Sequence, residues 1–214
     1  MSRSEAIAVL GGTFDPVHFG HLRAALEARE KLGIDTLRLV PAGQPLLRDP
    51  PVASAKQRLE MLRLALGDVP GFHVDDREIC RDGPSYMVDT LTGLRSEHPG
   101  VPLILLVGQD AANALDRWHR WESLFELAHL AVMRRPDTVS HYPDELAAVM
   151  QERRVEKPDS LMDSDAGRVV YLEITQLEIS STAIRRLFSA GHSARFLLPD
   201  SVIGYIHRHR LYQN

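Results

Sequence analysis

Two histidines three residues apart, His18 and His21, follow a glycine-rich bend near the start of a 214-residue chain. At that spacing beside a helix start, both imidazoles reach the same side. One reading is a pair of surface histidines. Another is half of a zinc site, but a structural zinc takes four N/S ligands, and Cys80 is the sole cysteine. The third is a pair of donors for phosphate oxygens. A histidine near phosphate tends to become protonated, which suits it to neutralise charge on a transferring phosphoryl group. The bend itself, Gly11-Gly12-Thr13, brings backbone close to a ligand because no side chain intervenes. It is neither the Gly-Lys-Ser/Thr loop nor the G-x-G-x-x-G dinucleotide turn. A second candidate lies at the far end of the chain, Ile179-Ser180-Ser181-Thr182-Ala183-Ile184-Arg185. Ser180 or Ser181 caps a helix there, with Arg185 one turn in. Hydroxyls, amides and a guanidinium at a helix N-terminus can make a cradle for a triphosphate, and an ordinary capped helix fits this segment alone equally.

These residues need elements to hold them. Residues 6–10 are apolar without alternation, as in a strand covered on both faces. Phe19 to Leu32 reads as an amphipathic helix, with Leu22, Ala25, Leu26 and Leu32 on one side and Gly33 as its stop. Strands follow at 36–40, 72–74, 103–107, 130–133 and 169–174. Helices are expected from the cap Ser54 to Leu66, from the cap Ser85 through Met87, Leu91 and Leu94, over 144–154, over 181–190 and over 199–209. The proline-rich stretch 41–51 is a loop. The polar stretch 137–167 is the segment expected to be mobile or inserted. Strands alternating with helices imply a parallel sheet with helices on both faces. In such a sheet ligands sit beyond the carboxyl ends of the strands. Gly11 to His21, the loop 41–51, Gly108-Gln109-Asp110 and Arg134-Arg135 all fall at those ends.

Composition sets the outer bounds. The chain is long enough for one large domain with a substantial core. A net charge of −4 argues against a broad nucleic-acid surface, so an anionic ligand must be met by local positive groups. One cysteine excludes an internal disulfide framework and fits a reducing compartment. The start of the chain does not read as a signal peptide, and no apolar run approaches the ~20 residues of a membrane span. A cytoplasmic protein is expected.

The pattern Gly11-Gly12-Thr13-Phe14-Asp15-Pro16-x-His18-x-Gly20-His21 resembles the N-terminal signature of the nucleotidylyltransferase superfamily. Its Phe-Asp-Pro form is similar to that of bacterial nicotinate mononucleotide adenylyltransferases. The Ile179–Arg185 segment resembles the second motif of that family, so the resemblance spans nearly the whole chain. It implies a single Rossmann-like α/β domain over 1–214, of the nucleotidylyltransferase type. It implies adenylyl transfer from ATP to nicotinate mononucleotide, giving deamido-NAD and pyrophosphate, with no covalent intermediate. Mg²⁺ would be carried mainly by the ATP phosphates, without a dedicated protein cage.

The resemblance also distributes roles. His18, His21 and Arg185 would be catalytic. Gly11, Gly12, Thr13, Phe14, Gly108, Asp110, Ser181 and Thr182 would join them on ATP. Asp15, Arg48, Tyr86, Met87 and Trp118 would meet the mononucleotide. Two departures stand out. Met87 occupies a position where the family often has Thr, and Pro45-Leu46-Leu47-Arg48 lacks the His of the family's Pro-Pro-His-Lys/Arg loop. Trp118 serves equally as a core aromatic or as a stacking surface, and Arg134 as a phosphate ligand or a surface arginine. Rival readings are a pantetheine-phosphate adenylyltransferase or a cytidylyltransferase, which share the first motif. A dehydrogenase would need the absent G-x-G-x-x-G. A nucleotide-sensing module would not need both histidines together with Arg185. No nucleic-acid or membrane partner is implied.

Overall fold

The computed structural model describes residues 4–46, 49–134, 138, 140–175 and 177–213. Six parallel strands form one sheet: β1 Ser4–Gly12, β2 Ile34–Pro41, β3 Phe72–Val74, β4 Leu103–Gly108, β5 His129–Arg134 and β6 Val169–Glu173. Their order is β3-β2-β1-β4-β5-β6. The chain winds one way from β1 and the other way from β4, so the crevice where a ligand sits lies beyond the ends of these two neighbours.

Strand β1 shows why the fold forms. Ala6, Ala8 and Leu10 point into one core, and Ile7 and Val9 into the other. Burial on both faces is what an unbroken apolar run encodes. The first core is closed by helices α1 (Phe19–Leu32), α2 (Ala55–Leu66), α8 (Ser181–Ser189) and α9 (Asp200–Arg208). The second is closed by α4 (Met87–Glu97), α6 (Leu124–Leu127) and α7 (Asp144–Glu152). Two single-turn helices, α3 (Arg77–Cys80) and α5 (Gln109–Ala112), sit near the strand ends. Gly33 ends α1 in the left-handed conformation, φ 64°. Ser54 starts α2 with a full capping box to Gln57. Ser85 does not cap α4. Tyr86 holds the cap position without a side-chain bond, and the Ser85 hydroxyl turns to another loop.

Within the polar stretch 137–167, Leu146 and Met150 of α7 reach the second core, and Leu161 reaches the first. Val155 donates to the Val169 carbonyl, and Val169 to that of Arg153, so the stretch is tied to β6.

At the base of β5, His129 is fully buried. Its Nδ1 accepts from the Arg168 amide at 3.1 Å, and its Nε2 stands 2.8 Å from the Ser164 carbonyl. An amide can only donate and a carbonyl only accept, so the ring is neutral with its proton on Nε2. Burial, aided by the nearby Arg168 and Arg95, lowers its pKa; the Ser164 carbonyl and Asp165 oppose that. A base with a lowered folded pKa takes up protons more readily when unfolded. Stability from this site is therefore complete above about pH 6.5 and is lost as pH falls. Buried Glu78, whose pKa is raised chiefly by desolvation, acts in the opposite sense. A His129→Asn variant isolates the histidine: its melting temperature should be lower at pH 8 and should change less between pH 7 and 5.5 than that of the parent. Equal slopes would overturn the assignment.

Candidate active site

A cleft of ≈ 1530 Å³ opens beyond the carboxyl ends of β1 and β4. Gly11 to Asp15, His18, His21, Tyr86, Met87, Gly108, Asp110, Trp118, Ser181, Thr182 and Arg185 all line it. The residues named from the sequence are therefore brought together except Arg134, and except Arg48 and Arg135, which lie outside the described residues. Arg134 is described but lies elsewhere. Its guanidinium sits 4.9 Å over the Tyr171 ring and 3.5 Å from the carboxylate of Glu173, its register partner on β6.

His18 is the N-cap residue of α1, and His21 lies in the first turn. Their rings stack at 3.7 Å between centroids, tilted by 24°. The Phe14 ring meets His21 edge-on at 5.1 Å. His18 is 4% exposed, and its Nδ1 has no hydrogen-bond partner among the described residues. Burial holds its pKa down at about 4. The imidazole is thus neutral at physiological pH. Nearby phosphate oxygens would favour its protonated form.

Gly11 and Gly12 line the cleft, and a side chain at either would also meet the protein itself. A Cβ on Gly11 would stand 2.5 Å from Met87 Cε, and one on Gly12 would stand 2.9 Å from the Phe14 ring. A Cβ on Gly20 would stand 2.9 Å from His18 Nδ1. The space beside these glycines is filled by the protein's own side chains, so they let Met87, Phe14 and His18 pack close to the backbone. Phe14, at 2% exposure, supports His21 from beneath.

The two motif segments are bonded to each other. The Ser181 hydroxyl donates to the Pro16 carbonyl at 3.0 Å, and Arg185 Nη1 donates to the Asp15 carbonyl at 2.8 Å. Arg185 Nη2 reaches Thr182 Oγ1 at 3.3 Å. Ser180, not Ser181, caps α8, accepting from the Ala183 amide at 3.2 Å. The start of α8 and the start of α1 thus face one cleft from a fixed distance, and both ends favour anions.

Asp15, expected on the mononucleotide, lines the cleft, and its carboxylate has partners within the protein. It accepts from the Val52 amide (2.8 Å), the Ala53 amide (3.1 Å) and the Tyr212 hydroxyl (2.6 Å). Arg185 Nη1 is 3.8 Å from the same group. Asp15 therefore organises the loop before α2 and the segment following α9. Tyr212, 197 residues away, was not legible as its partner.

On the other side of the cleft, Tyr86 stacks on His119 at 4.2 Å and 29°. Trp118 both packs on the second core and lines the cleft. The Ser85 hydroxyl accepts from the amides of Gly43 (2.9 Å) and Gln44 (3.1 Å). Buried Glu78 accepts from Thr90 Oγ1 at 2.6 Å. Neither Ser85 nor His119 was singled out for these contacts. An aromatic wall opposite a histidine–arginine–hydroxyl wall is suited to hold a flat ring on one side and phosphates on the other.

A doubly wound parallel sheet with phosphate donors on two helix starts defines a nucleotide-handling α/β protein. The cytidylyltransferase-like family model matches residues 9–187. A relative from Methylococcus capsulatus, named "Probable nicotinate-nucleotide adenylyltransferase", is 52% identical over 96% of this chain and 99% of its own length. One of the same name from Dechloromonas aromatica is 49% identical over 99% of each. The structure of Plasmodium falciparum nicotinic acid mononucleotide adenylyltransferase complexed with NaAD superposes with a TM-score of 0.73, at 16% identity, covering 97% of each chain. The last match speaks for the fold alone. The chain belongs to the cytidylyltransferase-like family and, within it, to the group of bacterial nicotinate-nucleotide adenylyltransferases.

Proposed function

We propose that this protein transfers the adenylyl group of ATP to nicotinate mononucleotide, releasing pyrophosphate and forming nicotinate adenine dinucleotide. The observation that carries this reading is the bonded pair of motifs. His18 and His21 on α1, and Ser181, Thr182 and Arg185 on α8, face one cleft and are held together through the Asp15 and Pro16 carbonyls. The names of relatives at about half identity over their full length support the choice of second substrate.

The acceptor brings its own nucleophile, a phosphate already ionised at neutral pH. A phosphate oxygen attacks the α-phosphorus of ATP, and the bond from that phosphorus to the β-bridging oxygen breaks. The electron pair leaves with pyrophosphate. No general base is needed, so the protein supplies position and charge neutralisation. His18 donates to the α/β region as charge builds there, with His21 stacked behind it. Arg185, the hydroxyls of Ser181 and Thr182 and the start of α8 receive the departing β- and γ-phosphates. Gly108 and Asp110 at the end of β4 take the nucleoside side, and Tyr86, Met87 and Trp118 take the pyridine side.

A divalent cation fits this donor set as a passenger of the triphosphate. The Asp15 carboxylate at the site is already engaged, and His21, Ser181, Thr182, Arg185 and the helix-start amides beside it suit phosphate oxygens better than a metal cage. Mg²⁺ bound to the phosphates would spread the charge of the leaving group. Among the described residues no helix is long and apolar enough to cross a membrane. A cytoplasmic setting with small-molecule substrates completes the reading.

Pyrophosphate release tests it directly. With ATP and nicotinate mononucleotide the protein should turn over; with nicotinamide mononucleotide it should do so more slowly. With 4′-phosphopantetheine or CTP in the corresponding role it should not. Release with neither pyridine mononucleotide would remove the proposal.

A further inference from the structure

Arg58, on α2, is 1% exposed and is not part of the cleft lining. Its guanidinium nonetheless donates to four carbonyls from three separate stretches. Nη1 reaches Thr13 at 2.7 Å, Nη2 reaches Ala42 at 2.6 Å and Gly43 at 3.2 Å, and Nε reaches Ala53 at 3.3 Å. Burial disfavours its charge, and the nearby Asp15 favours it. A buried cation without a tight carboxylate partner is a poor device for stability alone, since apolar residues of similar volume do as well or better. A rigid fork of five donors does one thing that no apolar residue can, which is to hold several carbonyls at fixed relative positions.

The segments so held adjoin at the strand ends, where the Ala42 amide also donates to the Gly12 carbonyl at 2.9 Å, and lead from there to the two sides of the cleft. Thr13 belongs to the bend that leads to His18. Ala42 and Gly43 belong to the loop after β2. That loop is fastened at its far side to the Ser85 hydroxyl, and the Gln44 carbonyl accepts from the Ser85 amide at 3.0 Å. Ser85 is followed directly by Tyr86 and Met87. Gly43 is pressed so close to α3 that a Cβ there would stand 2.3 Å from the Glu78 carbonyl, so the loop has little freedom except along this bridge.

We propose that Arg58 is a positioning residue that sets the spacing between the nucleotide half and the mononucleotide half of the cleft. The proposal rests on the function stated above. Each substrate binds through contacts on its own side, but transfer needs the attacking oxygen and the α-phosphorus within about 3–3.5 Å, and a misplacement of about 1 Å can cost about 100-fold. Loosening the bridge should therefore leave binding intact and slow the step that needs both halves.

The test separates the two. In Arg58→Lys, which keeps the charge and loses the fork, kcat per nucleotide-binding site should fall about 30-fold. The Kd values for ATP and for nicotinate mononucleotide, measured one at a time by calorimetry, should stay within about 3-fold of the parent. Ser85→Ala loosens the other end of the bridge while leaving the Arg58 guanidinium in place, at the loss also of its hydrogen bond to buried Glu78. It should show the same split with a smaller loss, about 10-fold. It decides the matter alone if the arginine variant does not fold. An unchanged kcat per site with only a lower melting temperature would overturn the proposal. So would Kd values that rise in step with the loss of rate. A parent protein that releases no pyrophosphate would overturn the function first, and the proposal with it.

Discussion

His18→Ala should lower kcat by about two orders of magnitude while leaving KM for ATP within a few-fold, in steady-state pyrophosphate release. The expectation follows from the ring's own surroundings and from what it meets when phosphate binds. It is buried, its pKa is held at about 4, and its Nδ1 lacks a partner among the described residues. A neutral imidazole is tolerated there; an imidazolium would not be until phosphate charge surrounds it. The ring therefore gains its strongest interaction as charge develops on the leaving oxygen. A donor that is better in the transition state than in the ground state acts on kcat, and one such donor is worth about 10²–10³. Two observations accompany the rate. Triphosphate binding to the parent near pH 6 should take up a proton, seen as a buffer-dependent calorimetric heat, because the ring's pKa rises from about 4 on binding. The variant should lose most of that uptake. A near-parental kcat would refute the role, whatever the heat shows.

The stretch from Gly11 to His21 was legible because its chemistry is local. The apolar run of β1, the turn and the histidine spacing lie within a dozen residues, and the far helix start carries its own cap and hydroxyls. The sheet was legible for the same reason: 103–107 is apolar throughout because it is covered on both sides. What sequence did not disclose is what distant segments do to one another. Gly11 and Gly12 read as places for a ligand, and the fold adds that a side chain there would also meet Met87 and Phe14. Ser85 read as a helix cap, but its hydroxyl serves the loop after β2. Asp15 read as a substrate ligand because it sits in the motif; only the fold shows Val52, Ala53 and Tyr212 converging on it.

Arg58 is marked in the sequence by its place but not by its partners. It lies three residues after Ala55 and four before Leu62, on the apolar stripe of α2 rather than its solvent face. An arginine in that place must satisfy its donors internally, but the carbonyls it finds come from residues 13, 42, 43 and 53. No periodicity within α2 could name them.

Arg185→Ala carries the largest expected loss, about 10³ in kcat, and Arg185→Lys should recover only part of it, remaining about 10² below the parent. The guanidinium is fixed by the Asp15 carbonyl at 2.8 Å and by Thr182 Oγ1 at 3.3 Å, and the side chain lines the cleft. A planar fork so held meets two phosphate oxygens without first losing rotamer freedom, whereas a lysine ammonium offers a point charge on a flexible stem. Among the described residues the alanine variant also removes a bond that joins α8 to the first motif, while that of Ser181 to Pro16 stays. Two effects should therefore combine: lost neutralisation of the departing pyrophosphate, read in kcat, and a looser triphosphate site, read in KM for ATP. Ser181→Ala removes the other bond and one hydroxyl but keeps the cation, so it should raise KM for ATP with a much smaller change in kcat. If the serine variant lost as much kcat as the arginine one, joining the segments would be the decisive contribution, and a direct role for Arg185 on the leaving group would have to be given up.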